Sequence, residues 1–469
     1  MQALLTPLHE LAEFEEIKGL LKKGQSAALT GCVESQKLHM IYGLSDGFSC
    51  KVIVTYSDLR AREIYEEYKF YDRNVMLYPA KDLIFYQADI HGNKLTAERV
   101  RALRRISQGR PLTLVTTFAA LMTPQRRWDE EKDTVYVDKR TSVDEHELEQ
   151  KLCSMGYEKS YQVEAPGQFS VRGGIVDIFD LTEENPYRIE LWGDEVESIR
   201  SFDILSQRSI EQLTGIRIYP ATEFVLTTEQ LKAGFAEIEK DAKKQEKLFR
   251  DGFQTEEAHR ISAQIKELKE QVFEFGNTSG LEGYIRYFYG EEELQSLACL
   301  LPQSHCLFLD EPSRIRQHAE AVETEFRESM SHRAEKGYIL PGQMDVLYGT
   351  EQVSAYLQKG ALVTLAALEL SNPLLKTERR FDISAKSIAP YNNSFEALVK
   401  DLKRYKKEGY RVLLLSGSRT RAARLAEDLR DQELTAVYSQ DPAREVQPGE
   451  ILTYSGHVDK GFEYPIIKF

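Results

Sequence analysis

The sequence lacks the features that mark secreted, membrane-spanning and disulfide-stabilised proteins. No stretch approaches the roughly 18 apolar residues that a membrane-spanning helix needs, and the N-terminus lacks the basic start and apolar run of a secretory signal. The five cysteines, Cys32, Cys50, Cys153, Cys299 and Cys306, are odd in number and have no CxxC spacing. We therefore expect reduced thiols, no metal site, no membrane partner and a cytoplasmic location.

An excess of basic residues is also missing, since 61 Lys and Arg residues stand against 75 Asp and Glu residues, a net charge of −14. Affinity for duplex DNA rests mainly on clustered cations, so this balance argues against a broad nucleic-acid-binding surface and favours a protein partner. A local patch stays possible, and the candidates are Arg99, Arg101, Arg104 and Arg105. They alternate with apolar residues at helical spacing, so a solvated helix face is the favoured interpretation.

The pattern of apolar runs predicts a multidomain α/β protein. A chain of 469 residues is long enough for several domains. In residues 1–128 short apolar strands alternate with amphipathic helices, which predicts a parallel sheet of the P-loop ATPase type. Residues 129–222 contain alternating runs joined by Gly-Asp and Asn-Pro turns, which predict an inserted α+β domain of antiparallel hairpins.

The second half of the chain predicts a return to the first domain and then a further unit. Residues 223–350 contain an amphipathic helix with Ile261, Ile265, Leu268 and Val272 on one face, followed by a strand at 306–311. Residues 351–469 predict a small α/β domain, with strands at 361–365 and 412–415. The run 464–469 resembles an incoming strand without a cap or turn, so we expect a fragment of a longer protein.

A degenerate phosphate-binding loop follows the first strand. Gly31 and Lys37 have the spacing of the motif GxxxxGK[ST], but Gln36 replaces the second glycine and Leu38 replaces the hydroxyl residue. Glycine lets backbone N–H groups point at phosphate, and the hydroxyl holds Mg²⁺. Glu34 adds a negative charge where phosphate oxygens would lie. We therefore expect no functional ATP binding at this loop and no cofactor in this part of the protein.

Two further strand ends resemble nucleotide-binding elements. The run 307–311 ends in Asp310 and Glu311, as a Walker-B strand does, and beside the degenerate loop it suggests a relic. A strand that simply ends in solvated acids is an equally good interpretation. Ser416-Gly417-Ser418 follows another strand and could cradle a phosphate, but a helix start capped by Ser418 is the favoured interpretation.

A hairpin at 187–192 predicts an unusual exposed face. Strict alternation places Tyr187, Ile189 and Leu191 on one side, with Arg188, Glu190 and Trp192 on the other. An exposed tryptophan beside an arginine is costly for solubility and frequent in interface hot spots. Arg172, which precedes Gly173-Gly174, could bring its guanidinium group to the same surface. Ordinary cross-strand pairing of arginine with glutamate, with Trp192 partly covered, is the alternative.

The residues at 167–179 and 186–209 carry a resemblance to a known family. Gly-Gln-Phe-Ser-Val-Arg-Gly-Gly-Ile-Val-Asp-Ile-Phe and Pro-Tyr-Arg-Ile-Glu-Leu-Trp-Gly-Asp resemble the UvrA-binding domain shared by UvrB and the transcription-repair coupling factors (Mfd). Three observations favour the coupling factors. The phosphate loop is degenerate, no aromatic hairpin of the UvrB type lies between Tyr78 and Thr116, and the stretches 365–382, with Ser371-Asn372-Pro373, and 456–462 resemble the third domain of that family.

The resemblance implies a function and a set of partners. It implies a catalytically silent module that recruits the excision-repair protein UvrA to stalled RNA polymerase, through contacts at Arg172, Arg188 and Trp192. The family often has phenylalanine where this chain has Trp192. The resemblance also implies that a C-terminal domain masks this face, and that ATP with Mg²⁺, RNA polymerase and double-stranded DNA bind to domains that are absent here. The alternatives are an ATP-dependent helicase or repair ATPase subunit using Lys37 and Asp310, and a direct DNA-binding module.

Overall fold

The structure is a computed structural model that describes residues 1–81, 92–274, 276, 278, 280–368 and 374–469. Two expectations fall outside these ranges. Ser371-Asn372-Pro373 is not described, and the stretch between Tyr78 and Thr116 is described only in part. Over the described ranges, no helix is both long enough and apolar enough to cross a membrane, and no group of side chains could hold a metal ion. All five cysteines are free.

Strands and helices follow one another throughout the described residues. The strands are β1 (Ser26–Thr30), β2 (Cys50–Thr55), β3 (Val75–Tyr78), β4 (Leu112–Thr117), β5 (Pro124–Gln125), β6 (Val135–Asp138), β7 (Glu158–Lys159), β8 (Gln168–Arg172), β9 (Ile175–Ile178), β10 (Tyr187–Trp192), β11 (Glu195–Phe202), β12 (Ser209–Gln212), β13 (Gly215–Ile218), β14 (Gln295–Ser296), β15 (His305–Asp310), β16 (Ala361–Leu365), β17 (Arg379–Asp382), β18 (Lys386–Ser387), β19 (Val412–Ser416), β20 (Ala436–Tyr438), β21 (Ile451–Ser455) and β22 (Phe462–Glu463). The helices are α1 (Gln2–Leu8), α2 (Phe14–Lys22), α3 (Glu34–Leu44), α4 (Asp58–Tyr68), α5 (Gly92–Ser107), α6 (Phe118–Leu121), α7 (Glu130–Asp133), α8 (Glu145–Ser154), α9 (Thr228–Asp251), α10 (Thr255–Phe273), α11 (Ile285–Phe288), α12 (Leu297–Leu300), α13 (Pro312–Glu335), α14 (Thr350–Leu357), α15 (Phe395–Glu408) and α16 (Arg419–Arg430), with 3₁₀ turns at Leu281–Tyr284 and Pro341–Gln343.

A seven-stranded parallel sheet forms the first domain. Its order is β17-β1-β16-β15-β2-β4-β3, and every neighbouring pair runs parallel. Strands covered on both faces must be apolar along their whole length, and β16 is buried at all five positions. The prediction of a parallel α/β sheet is confirmed, and β15 does bring the chain back to it.

One predicted assignment in the last part of the chain was wrong. The strand at 361–365 was expected in the small domain of residues 351–469, but as β16 it lies between β1 and β15 in the large sheet. The edge strand β17 also belongs to that sheet, paired with β1. The separate unit contains the parallel three-stranded sheet β19-β21-β20 with α15 and α16. An apolar run indicates a strand but not its sheet, which long-range pairing decides.

The C-terminal run was also predicted wrongly. Residues 464–469 form a turn and not a strand, because Tyr464 and Phe469 exchange backbone hydrogen bonds that close the segment on itself. Tyr464 is fully buried in the core of the first domain. Burial of this ring, together with hydrogen bonds from Arg411 to the carbonyls of Ile467 and Lys468, holds the segment.

The inserted domain lies between β5 and α9. Its main sheet has the order β12-β11-β10-β9-β8-β7, with antiparallel pairs except for β7 and β8. The smaller sheet β6-β13 and helix α8 add the remaining apolar side chains to one core. The prediction of an inserted α+β domain is confirmed.

Arginines of helix α5 join the inserted domain to the first domain. Arg99 is fully buried, and its Nε donates to Glu223 Oε1 at 2.7 Å. Arg104 pairs with Asp180 and with Glu183, at 3.7 and 2.9 Å. The prediction of a solvated arginine face was therefore wrong for these two side chains. Their charges are held by carboxylates of the inserted domain, which agrees with the high cost of burying an unpaired charge.

The two long helices after the inserted domain pack as an antiparallel pair. Helix α9 begins at an N-cap formed by Thr227, whose side chain accepts from the backbone N–H of Gln230. On α10, Ile261, Ile265 and Val272 are buried and Leu268 packs against the same cluster, so the predicted amphipathic helix is confirmed. The predicted cap at Ser418 is confirmed as well, because its hydroxyl accepts from the N–H of Arg421.

Candidate functional site

The outer face of β10 presents an exposed tryptophan. Ile189 and Leu191 are buried, whereas Trp192 is 80% exposed at the end of the strand, beside the turn that leads into β11. The alternation predicted from the sequence is therefore confirmed at these positions. Across the hairpin, Arg200 Nη2 donates to Glu190 Oε1 at 2.6 Å, and this hydrogen bond lowers the pKa of Glu190. The predicted cross-strand arginine–glutamate pair thus exists, but it does not cover Trp192.

A buried carboxylate, Asp177, organises the arginines of this face. It lies on β9 opposite Arg188 of β10, and it is almost completely shielded from solvent. Arg188 Nε donates to Oδ1 at 2.7 Å and its Nη2 donates to Oδ2 at 2.8 Å. Arg172 Nη2 donates to the same Oδ2 at 3.1 Å. One carboxylate therefore fixes two guanidinium groups. The pair that it forms with Arg188 is bidentate, which is the stronger and more directional kind of arginine–carboxylate contact.

The two arginines differ in how far they reach solvent. The side chain of Arg188 is 13% exposed, against 37% for Arg172. Arg188 also donates to Gln207 Oε1 at 2.9 Å and lies over the ring of Phe202. The predicted exposure of Arg188 is therefore only partial, because Asp177 and Gln207 accept from its Nε and Nη2. Arg188 holds Asp177 in place, and Arg172 is the more exposed guanidinium group of this face.

The degenerate phosphate loop has a short, closed geometry. Gly31 directly follows β1 with φ of +73°, and a side chain there would come within 2.6 Å of the carbonyl oxygen of Ile383. Helix α3 then begins at Glu34, only three residues later. The Gln36 side-chain oxygen accepts from the backbone N–H of Val33 at 3.1 Å, and Leu38 is buried in the core. Both departures from the phosphate-loop motif are used by the fold itself.

Lys37 is held by the two acids at the end of β15. Its Nζ donates to Asp310 Oδ1 at 2.8 Å and to Glu311 Oε1 at 2.5 Å. Burial disfavours the charged lysine, but the two carboxylates outweigh it and raise the pKa of Lys37. Asp310 also accepts from Thr55 at 2.9 Å and from Arg60 at 3.4 Å. The structure thus brings together the predicted residues Lys37, Asp310 and Glu311 in one ion cluster, in which Lys37 and Asp310 are buried.

A segment from the C-terminal part of the chain packs against the start of α3, where an intact loop would receive phosphate. The backbone N–H of Lys460 donates to Ser35 Oγ at 3.0 Å, and its Nζ donates to Glu34 Oε1 at 2.8 Å. Deeper in the core, Gln36 Nε2 donates to the hydroxyl of Tyr464 at 3.2 Å. Residues 456–464, which we call the covering segment, therefore contact three residues of the degenerate loop.

The covering segment also contacts a buried acid of α4, Glu67. The Ser35 hydroxyl and the backbone N–H of Asp459 favour the ionised form of this carboxylate and so act to lower its pKa, yet its Oε1 has no hydrogen-bond partner among the described residues. Burial is the main cause that raises the pKa of Glu67 to about 7, and the nearby Asp459 adds to it. Arg60 acts in the opposite direction. Glu67 is therefore a pH-sensitive group under the covering segment.

We expect Glu67→Gln to stabilise the protein at alkaline pH. The folded pKa of about 7 lies above the ordinary glutamate value of 4.5, so the contribution of Glu67 to stability is complete below pH 4.5 and is lost as the pH rises through 7. The neutral amide of Glu67→Gln does not ionise, so this variant avoids the loss. Its free energy of unfolding should exceed that of the parent by up to about 3 kcal/mol at pH 8 and by little at pH 4.5. Urea denaturation at the two pH values measures the difference. Glu66→Gln, which alters an exposed neighbour, is the control, and an equal gain at both pH values for Glu67→Gln would contradict the assignment.

Several residues of this region were not found from the sequence. Asp177 gave one usable signal, since it is an acid inside the otherwise apolar strand β9, and such acids are rarely buried without a cation. Gln207, which accepts from Arg188, adopts a positive φ of 58° in the turn before β12. No pattern in the sequence indicated this contact. Glu67 and the covering segment are separated by almost 400 residues, so no local spacing could connect them.

Comparison with known proteins identifies relatives over most of the chain. Residues 135–224 match the family described as the UvrB interaction domain. The chain is 31% identical over 400 residues to the transcription-repair-coupling factor of Bacillus subtilis, an alignment that covers 85% of this chain and 33% of that protein. It is 25% identical over 484 residues to the factor of Staphylococcus aureus strain Mu50, covering 99% and 39%. The chain thus spans about a third of the length of these relatives.

Proposed function

We propose that this chain, which carries a UvrB interaction domain and is related over most of its length to transcription-repair-coupling factors, recruits UvrA in transcription-coupled DNA repair. The observation that carries the proposal is the outer face of β10. Trp192 stands in solvent there, and strand β8 of the same sheet contributes a guanidinium group, Arg172, that Asp177 has already oriented. Aromatic and arginine side chains are enriched among residues that dominate binding energy. Oriented side chains also lose less conformational freedom on binding.

The first domain is proposed to act as a catalytically silent scaffold that needs no cofactor. Its phosphate-loop lysine, Lys37, is held by Asp310 and Glu311, so a nucleotide phosphate would have to displace these two carboxylates before it could pair with the lysine. Gln36 and Leu38 stand where the motif needs glycine and a hydroxyl, and the covering segment lies against the helix start. These features favour a structural role over ATP hydrolysis.

We propose the remaining partners from the name of the relatives, transcription-repair-coupling factor, which links transcription with DNA repair. We propose that RNA polymerase, double-stranded DNA, and ATP with Mg²⁺ bind through parts of such factors that this chain does not include. We also propose that a C-terminal domain of the whole factor covers Trp192 and Arg172 until UvrA is needed. A cytoplasmic location follows from the same function, because its partners act on the chromosome.

Co-elution with UvrA tests the central proposal. The 469-residue chain and purified UvrA are mixed at micromolar concentrations and separated by size-exclusion chromatography. We expect the two proteins to move together in an earlier peak, because Trp192 and Arg172 are accessible to solvent in the 469-residue chain. Elution of both proteins at their separate positions at low salt would contradict the proposal.

A further inference from the structure

A second exposed aromatic side chain, Tyr161, lies beside the arginine of the β10 face. Its ring is 85% exposed, and the guanidinium carbon of Arg172 lies 5.8 Å from its centroid. An arginine at this distance from an aromatic face makes a cation–π contact. Tyr161 comes from the loop after β7, outside the residues that alternate on β10, so the pattern that indicated Trp192 gave no sign of it.

The loop that carries Tyr161 is held at both ends. The backbone N–H of Ser160 donates to the carbonyl of Phe169 at 2.8 Å. Farther along, Gln168 Oε1 accepts from the N–H groups of Glu164 and Ala165, at 2.9 and 3.1 Å. A large apolar ring is thus presented to water from a fixed backbone. Such a ring gains apolar contact on binding without the entropy cost of ordering its loop.

Strand register brings Tyr161 to the same end of the sheet as Trp192. Strand β8 runs in the same direction as β10, with β9 between them, and β7 lies parallel to β8 on its far side. The turn between β8 and β9 packs on the end of β10. Gly174 has a φ of +82°, and a side chain there would lie 2.9 Å from the Leu191 carbonyl oxygen. In the strand order, Tyr161 and Trp192 therefore lie on either side of Arg172, three strand spacings or about 14 Å apart when measured across the sheet.

We propose that Tyr161 is a third anchor of this face and that the partner surface runs along the end of the sheet from Tyr161 through Arg172 to Trp192. The inference rests on the proposed function and deepens it. The matching surface on UvrA has a carboxylate that accepts from the exposed edge of Arg172, with an apolar depression on either side for the two aromatic rings. Tyr161 supports Arg172 from one side, and Asp177 holds it from the other.

The experiment measures the affinity of UvrA for variants of the full chain by fluorescence anisotropy. Tyr161→Ala is expected to weaken binding about tenfold, and Tyr161→Phe, which keeps the ring, to stay within about twofold. The melting temperature of both variants should match the parent, because the ring is exposed. Leu205→Ala removes another exposed apolar side chain, from the turn after β11 at the opposite end of the same domain, and serves as the matched control.

Three outcomes would count against the inference. Binding by Tyr161→Ala within twofold of the parent, with Trp192→Ala strongly weakened, would remove Tyr161 from the interface and leave the proposed function standing. An equal loss in Tyr161→Phe would show that the hydroxyl, and not the stacked ring, makes the contact. Absence of binding by the parent chain would overturn the proposed function itself.

Discussion

Replacing Trp192 by alanine is expected to weaken UvrA binding by about 1–3 kcal/mol, as truncation of an interface anchor does. The indole is 80% exposed in the free chain, so its removal takes little packing away from the folded protein. We therefore expect the urea midpoint to stay unchanged while the dissociation constant rises by about 5- to 150-fold. Isothermal titration of UvrA with each protein measures the dissociation constants.

Phe253→Ala supplies the control for this substitution. Phe253 is almost fully exposed between helices α9 and α10, outside the inserted domain. If loss of any exposed aromatic side chain reduced affinity by a general effect on solubility, both variants would bind equally poorly. Equal affinity of Trp192→Ala and the parent chain would instead show that the partner does not cover β10.

The sequence predicted those parts of the molecule in which local pattern and final environment agree. Alternation along β10 predicted a buried Ile189 and an exposed Trp192, because side chains of a strand point to opposite faces. Runs of apolar residues at β1, β2 and β4 predicted a sheet covered on both faces. The spacing of Gly31 and Lys37 predicted a strand, loop and helix in the arrangement that the structure has.

Prediction ended where distant segments decide the outcome. Arg188 alternates as an exposed residue should, yet Asp177 and Gln207 from two other elements enclose it. Helical spacing could not indicate that Arg99 meets Glu223 across a domain boundary. A strand or helix has a polar face either because that face contacts water or because it contacts a buried charge. The two cases give the same pattern in a single sequence.

The same ambiguity applies to the phosphate loop. A lysine at the end of GxxxxxK can bind phosphate or can neutralise acids of its own fold, and the motif contains no information on which it does. Here Asp310 lies next to Lys37 and is almost completely buried. Burial favours the neutral acid, but Lys37 and Arg60 outweigh it and lower the pKa of Asp310. Asp310 is therefore ionised at neutral pH, and its buried charge depends on both cations.

Lys37→Met should destabilise the protein by about 3–5 kcal/mol, since removal of one partner leaves the other charges of a buried ion pair uncompensated. In a nucleotide-binding protein the same substitution would abolish ATP binding with little effect on stability. Urea denaturation at pH 7, together with equilibrium dialysis against Mg-ATP, separates the two cases. Unchanged stability with loss of ATP binding would contradict the structural role of Lys37.

A second lysine provides the matched control for this prediction. Lys460 pairs with Glu34 at the same loop, but more than half of each side chain is exposed, and such pairs contribute about 0–1 kcal/mol. Lys460→Met should therefore change the free energy of unfolding far less than Lys37→Met. Adding Asp310→Asn to Lys37→Met removes one of the two carboxylates that have lost their lysine partner. The double variant should therefore recover part of the free energy of unfolding that Lys37→Met loses. Recovery is expected because the cost arises from the uncompensated negative charge and not from the missing lysine itself.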